Sequence, residues 1–124
     1  MFERDPSSVG ARAEAAVAAA LVASGRAVYL PAFGGHGRAD LIYVTESGAV
    51  RVQCKSGRLA GSERLAFRTC SNTRNVPRSY AGEIDEFGVY SPDLDRVYLV
   101  PIAGLPSRLC SLRLGPPRNG HQAG

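Results

Sequence analysis

Between Pro6 and Gly25 the chain carries two charged side chains, Arg12 and Glu14, and is otherwise mostly alanine, valine and leucine. Asp5, Ser7 and Ser8 supply capping oxygens, Pro6 suits the first helical position, and Gly25 supplies a C-terminal stop. The stretch is therefore predicted to be a helix. A helix that is apolar on nearly every side has to be covered by the rest of the domain, and the rest of this chain reads chiefly as strands. Ala27-Val28-Tyr29-Leu30 reads as a first strand, Phe33-Gly34-Gly35-His36-Gly37-Arg38 as a glycine-rich loop, and 39–45 and 50–56 as two more strands around a turn at Ser47-Gly48. Residues 64–69, 87–90 and 97–102 continue the pattern, with a turn at Ser91-Pro92-Asp93, while 70–82 reads as a long exposed polar loop. Residues 106–114 read as a helical turn and a short strand, and Pro116-Pro117 ends regular structure. The predicted class is α/β: a single domain over 1–124, ordered from about 5 to 115 with a tail at 116–124, built on a central mixed sheet flanked by helices.

The hairpin of 39–45 and 50–56 brings chemistry together. With Ser47 and Gly48 at its tip, Thr45 faces Val50 and Asp40 faces Lys55, with Cβ atoms about 5 Å apart. Gln53, two residues from Lys55, falls on the same face. Leu41, Tyr43, Val50, Val52 and Cys54 gather on the other as a core face. Lys55 is also the only lysine among 15 basic residues, a point in a chain of arginines where an amine is used. An amine can give up its proton in a catalytic step, and a guanidinium cannot.

Charge is segregated as well. Within the net +4, positions 51–78 hold seven basic residues and one acid, Glu63, whereas 79–96 hold five acids and one arginine. A basic tract beside the convergence of Asp40, Gln53 and Lys55 suits a polyanion better than a small neutral substrate. Cys54, Cys70 and Cys110 lack the spacing of a zinc site or a disulfide framework and are expected to be reduced and mostly buried. The longest apolar run, 15–23, is too short to cross a bilayer, and the N-terminus lacks the basic then apolar order of a signal peptide. The expected location is cytoplasmic, away from the membrane.

Helix, strand, and a hairpin with an acid on one arm and Gln53-Cys54-Lys55 on the other resemble the PD-(D/E)XK nuclease superfamily. Phe67-Arg68-Thr69-Cys70-Ser71, Tyr80-Ala81-Gly82-Glu83-Ile84-Asp85 and Val97-Tyr98-Leu99-Val100-Pro101 extend the resemblance to the branch of group I intron homing endonucleases, in which glutamine replaces the second acid. The resemblance implies a restriction-endonuclease-like core and metal-dependent hydrolysis of double-stranded DNA with Mg2+, or Mn2+. It implies a catalytic set of Glu14, Asp40, Gln53 and Lys55. The ion would be held by Asp40, the Gln53 amide oxygen, the Cys54 backbone carbonyl and Glu14, a set of hard oxygens. Lys55 would position or deprotonate the attacking water. Ala39 stands where the superfamily name implies proline, a position of backbone shape without chemistry. Arg38, Arg58, Asn72, Arg74, Asn75, Arg78 and Tyr80 are the expected DNA contacts, with His36 a further loop candidate. Cleaving both strands needs at least a symmetric dimer, and the resemblance implies a homodimer or homotetramer. A Holliday-junction-resolving or repair nuclease of the same fold is the alternative within the class, and a non-catalytic DNA-binding module the alternative outside it.

Overall fold

The computed structural model describes residues 6–33, 37–73, 76–106 and 108–114. Helix α1 spans Pro6–Ala23 and stops where expected. Gly25 takes φ +88°, its N–H donates to the Val22 carbonyl at 3.0 Å, and the Arg26 N–H donates to the Leu21 carbonyl at 3.0 Å. This closure needs a left-handed residue that glycine supplies without strain. The helix buries one stripe, Ala13, Val17 and Leu21, while Ala15, Ala19 and Val22 remain exposed. The expectation of cover on every side is thus corrected. Alanine favours helix by backbone propensity, and its lone methyl costs little in water.

Strands β1 (Ala27–Tyr29), β2 (Leu41–Thr45) and β3 (Gly48–Ser56) lead into the short β4 (Arg58–Ala60), β5 (Arg64–Arg68), β6 (Cys70–Thr73) and β7 (Val76–Ser79), followed by β8 (Glu86–Ser91), β9 (Arg96–Pro101) and β10 (Leu109–Arg113). The central sheet has the order β1-β2-β3-β8-β9; β3 and β8 run parallel and the other pairs antiparallel, so the mixed sheet of the α/β reading is present. Its two faces are covered differently. On one side Val17 and Leu21 of α1 pack on Leu41, Tyr43, Val52 and Cys54, the core face that alternation predicts. On the other, where a further helix was expected, a second sheet of order β10-β5-β4 supplies Leu65, Phe67 and Cys110 against Phe87, Val89 and Val100. The connection between the parallel strands β3 and β8 is built from strands rather than from a crossover helix, which is why this layer is a sheet. The segment read as an exposed loop is likewise an antiparallel pair, β6 with β7, running into a buried Tyr80.

Glycine sets how closely α1 approaches. A Cβ built on Gly88 would stand 2.6 Å from Val17 Cγ1 and 3.1 Å from Val52 Cγ1, so only hydrogen fits where the helix crosses β8. Among the described residues no helix is long and apolar enough to cross a membrane.

Candidate active site

The β2–β3 hairpin turns one residue earlier than expected. Thr45 pairs with Gly48, leaving Glu46-Ser47 as the tip. The Thr45 hydroxyl accepts from the Ser47 N–H at 3.1 Å and donates to the Gly48 carbonyl at 3.1 Å, and Gly48 opens β3 at φ +124°. The register moves by two residues, and because side chains alternate with period two, the paired residues of β2 and β3 keep their faces, whereas Asp40, beyond the ladder and expected beside Lys55, shares a pocket with α1, which covers the face of Cys54. The correction is local: the ladder ends at Leu41 opposite Val52, so its next step brings Asp40 level with Gln53 rather than Lys55.

At that end the strands separate and a side chain continues the ladder. The Asp40 N–H donates to the Val52 carbonyl at 2.7 Å, and its carboxylate Oδ2 accepts the Cys54 N–H at 2.8 Å. Asp40 lines a pocket of about 310 Å³ with Glu14, Ala15 and Ala18 of α1 and with Leu30 and Pro31 after β1. Burial pushes its carboxyl up from 3.8 to about 6; the Cys54 N–H opposes the rise, Glu14 adds to it, and the Lys55 charge opposes it. Asp40 thus shares a pocket with Glu14 and is hydrogen-bonded to the backbone of Cys54, the residue before Lys55. Burial, with Asp40 and Glu14 beside it, also pushes the Cys54 thiol well above its ordinary value. That thiol stays protonated and is neither a nucleophile nor a thiolate ligand. All three cysteines are free and buried, as expected.

Lys55 is half-buried on the sheet face opposite Cys54. Its Nζ donates to the Tyr80 hydroxyl at 3.1 Å and to the Cys70 carbonyl at 3.5 Å, and lies 4.7 Å from the centroid of the Tyr80 ring. Tyr80 is 4% exposed and edge-on to Phe87, with centroids 5.6 Å apart. The exposed position expected of it is corrected: its ring belongs to the core and only its hydroxyl reaches the site. Arg38 is also turned inward, its guanidinium carbon 3.8 Å from the Tyr80 centroid and its Nη1 3.6 Å from Glu83 Oε1. The polar neighbours of Tyr80 in sequence suggest an exposed donor, and nothing among them marks it as the residue that holds Lys55.

Gln53 is half-buried on β3, pairing with Phe87 of β8, and Arg58 is exposed on β4. Asn72 and Arg78 belong to the β6–β7 pair, opposite Pro77 and Ser71 respectively. His36, Arg74 and Asn75 lie outside the described residues, as does the tail at 116–124. Among the described residues no three His, Cys, Asp or Glu side chains cluster as metal ligands. The acids that share a pocket are two, Asp40 and Glu14, and Gln53 is not among the residues that line it. That set still suits a hard cation. A partly buried carboxyl pushed towards neutrality with a second carboxylate at hand is a pair whose charges a divalent ion would satisfy.

The family model described as PD-(D/E)XK endonuclease matches residues 4–124. No curated protein matches the chain in sequence. Among solved structures the chain is similar to a bacterial homing endonuclease, I-Ssp6803I, with a TM-score of 0.73 and 22% identity, covering 88% of this chain and 78% of that one. At that identity the likeness is one of fold.

Proposed function

The chain belongs to the PD-(D/E)XK endonuclease family, and from that premise we propose that it is a divalent-metal-dependent endonuclease hydrolysing phosphodiester bonds of double-stranded DNA, of the homing-endonuclease kind. The observation that supports this reading is that Asp40, at the end of the hairpin, lines one pocket with Glu14 and accepts the N–H of Cys54, the residue next to Lys55. A carboxylate pair to hold a cation and an amine beside it are the parts that phosphodiester hydrolysis needs.

In this reading Asp40, the Gln53 amide oxygen, the Cys54 carbonyl and Glu14 hold Mg2+ or Mn2+. The ion, when bound, neutralises charge on the phosphoryl oxygens and acidifies water. Gln53 stands where the family name has an acid, so the ligand set carries one negative charge fewer and is expected to bind the ion more weakly. Lys55, fixed by the Tyr80 hydroxyl and the Cys70 carbonyl, orients the attacking water or, as the neutral amine, takes up its proton. One such site cuts one strand, so breaking a duplex requires two copies, the simplest arrangement being a symmetric dimer. The fold shared with the homing endonuclease I-Ssp6803I supports the homing kind.

The test is cleavage of supercoiled plasmid with Mg2+ and with EDTA, by wild type, Asp40→Ala and Lys55→Ala, with a four-way junction run in parallel. Metal-dependent nicking by wild type and none by either variant is expected. Full activity in either variant overturns the assignment, and preference for the junction moves it to the resolving nucleases.

A further inference from the structure

The outer face of the β4-β5-β10 sheet is left unexplained by the active site. Its inner face is core, with Leu59, Leu65, Phe67, Cys110 and Leu112 turned towards the central sheet. Alternation therefore sends Arg58, Arg64, Arg68 and Arg113 outward, and all four are exposed. Between them stand short side chains, Ala60, Ala66 and Ser111, with Leu109 the one larger apolar group. None of the three strands contains an acid; the carboxylate nearest in sequence is Glu63, in the turn that joins β4 to β5.

The register makes this arrangement costly for the protein alone. Arg64 and Arg113 are direct partners across β5 and β10, and directly opposed like charges on one face repel. Among the described residues no carboxylate pairs with either of them, in contrast to Arg51, whose guanidinium grips Asp85 at 3.1 Å. A sheet face that concentrates positive charge around such an opposed pair is complementary to a polyanion. Among the described residues no aromatic side chain stands on this face for bases to stack on, which favours a duplex backbone over a single strand.

Position ties the face to the candidate site. Arg58 follows Lys55 by three residues, and Arg68 precedes Cys70, whose carbonyl Lys55 contacts, by two. From Arg68 to Arg64 the face extends about 13 Å along β5, a length of B-form duplex that carries about eight phosphates. We propose that the outer face of the β4-β5-β10 sheet, through Arg58, Arg64, Arg68 and Arg113, binds the phosphate backbone of the DNA duplex flanking the cleaved bond. The proposal rests on the endonuclease reading and adds to it a second contact surface, one that supplies affinity and leaves the choice of sequence to other residues.

The test is binding of labelled duplex by anisotropy, without divalent metal, across about 50 to 200 mM salt, for wild type, the double variant Arg64→Ala with Arg113→Ala, and Arg64→Lys with Arg113→Lys. The alanine pair is expected to bind about tenfold or more weakly and to flatten the slope of log K against log salt by about 2. The lysine pair should keep the wild-type slope. Since the alanine pair removes a repulsion, its melting temperature without DNA should match or exceed that of wild type, which separates lost contacts from lost folding. Wild-type affinity and slope in the alanine pair overturn the proposal, as does a change in its DNA-free oligomeric state by light scattering, which would give the face to a second copy of the chain. The two readings fail separately: a wild type that binds duplex but never nicks it overturns the assignment of the active site, and one that nicks while the alanine pair binds normally overturns this surface alone.

Discussion

Two cationic regions of the molecule are built on opposite terms. Around Asp40 the positive groups are held by the protein: Lys55 by the Tyr80 hydroxyl and the Cys70 carbonyl, Arg38 by the Tyr80 ring with Glu83 beside it. On the outer face of the β4-β5-β10 sheet, Arg64 faces Arg113 across the ladder with no acid within the strands. A fixed cation costs ordering and desolvation in advance and is suited to a reaction that needs one geometry. A row of exposed cations is suited to a partner whose charge is continuous and whose position along the row is free. The contrast predicts that the two regions fail in different observables.

The largest separation should come from Lys55→Ala, expected to lower cleavage at saturating DNA by about 10³-fold, within the span of a lost proton-transfer group, with duplex affinity nearly unchanged. The outer-face alanine pair should do the reverse. Single-turnover cleavage and equilibrium binding measured on the same duplex check both. If Lys55→Ala lost affinity and kept its rate, the division of labour would be wrong. A second effect acts on the scaffold common to both regions. Gly88→Ala pushes a methyl to 2.6 Å from Val17 Cγ1 and should cost about 1 to 3 kcal/mol, read as a lower denaturation midpoint with no change in the salt slope of binding. Smaller again is Tyr80→Phe. It keeps the ring against Phe87 and removes the hydroxyl that receives the Lys55 ammonium, a loss of about 1 kcal/mol that should appear as a cleavage rate about fivefold to tenfold lower at unchanged affinity.

How much of this was legible depended on distance along the chain. The core face of the hairpin could be read from the alternation of Leu41, Tyr43, Val50, Val52 and Cys54, and it survived a register error of two because parity was preserved. The error came from one hydroxyl: Thr45 bridges Ser47 and Gly48, a choice that turn propensity alone leaves open. Strand β4 is three residues long and β6–β7 has only Cys70, Val76 and Pro77 among polar residues, so neither shows the apolar period that marks a strand. Tyr80 reaches Lys55 across 25 positions of sequence, and only the folded core decides that its ring turns inward. The arginine face is legible in the alternation of Arg64-Leu65-Ala66-Phe67-Arg68, but a count of basic residues over 51–78 does not separate it from Arg51 and Lys55, which stand on the central sheet.

The finest test of the contrast uses pH and leaves DNA out. Without metal, the Asp40 carboxyl holds its proton up to about pH 6 when folded, against an ordinary value of 3.8. Between those values the folded protein binds more protons than the unfolded chain, so this group makes stability fall as pH rises through the window, with the full penalty present above it. Asp40→Asn removes the charge yet keeps an oxygen able to accept the Cys54 N–H. In EDTA the variant should therefore melt a few degrees above wild type at neutral pH, an advantage of about 1 kcal/mol once solvent screening of a partly exposed group is allowed for, and should lose that advantage near pH 4. Adding Mg2+ should reverse the order at neutral pH, because the cation stabilises the ionised wild type and gains less from the amide. Thermal melts of both proteins at neutral and acidic pH, with and without Mg2+, measure each sign. An advantage that persists unchanged near pH 4, or a variant that gains as much from Mg2+ as wild type does, would mean that Asp40 is an ordinary strand-end acid and that the fixed region is not tuned for an ion.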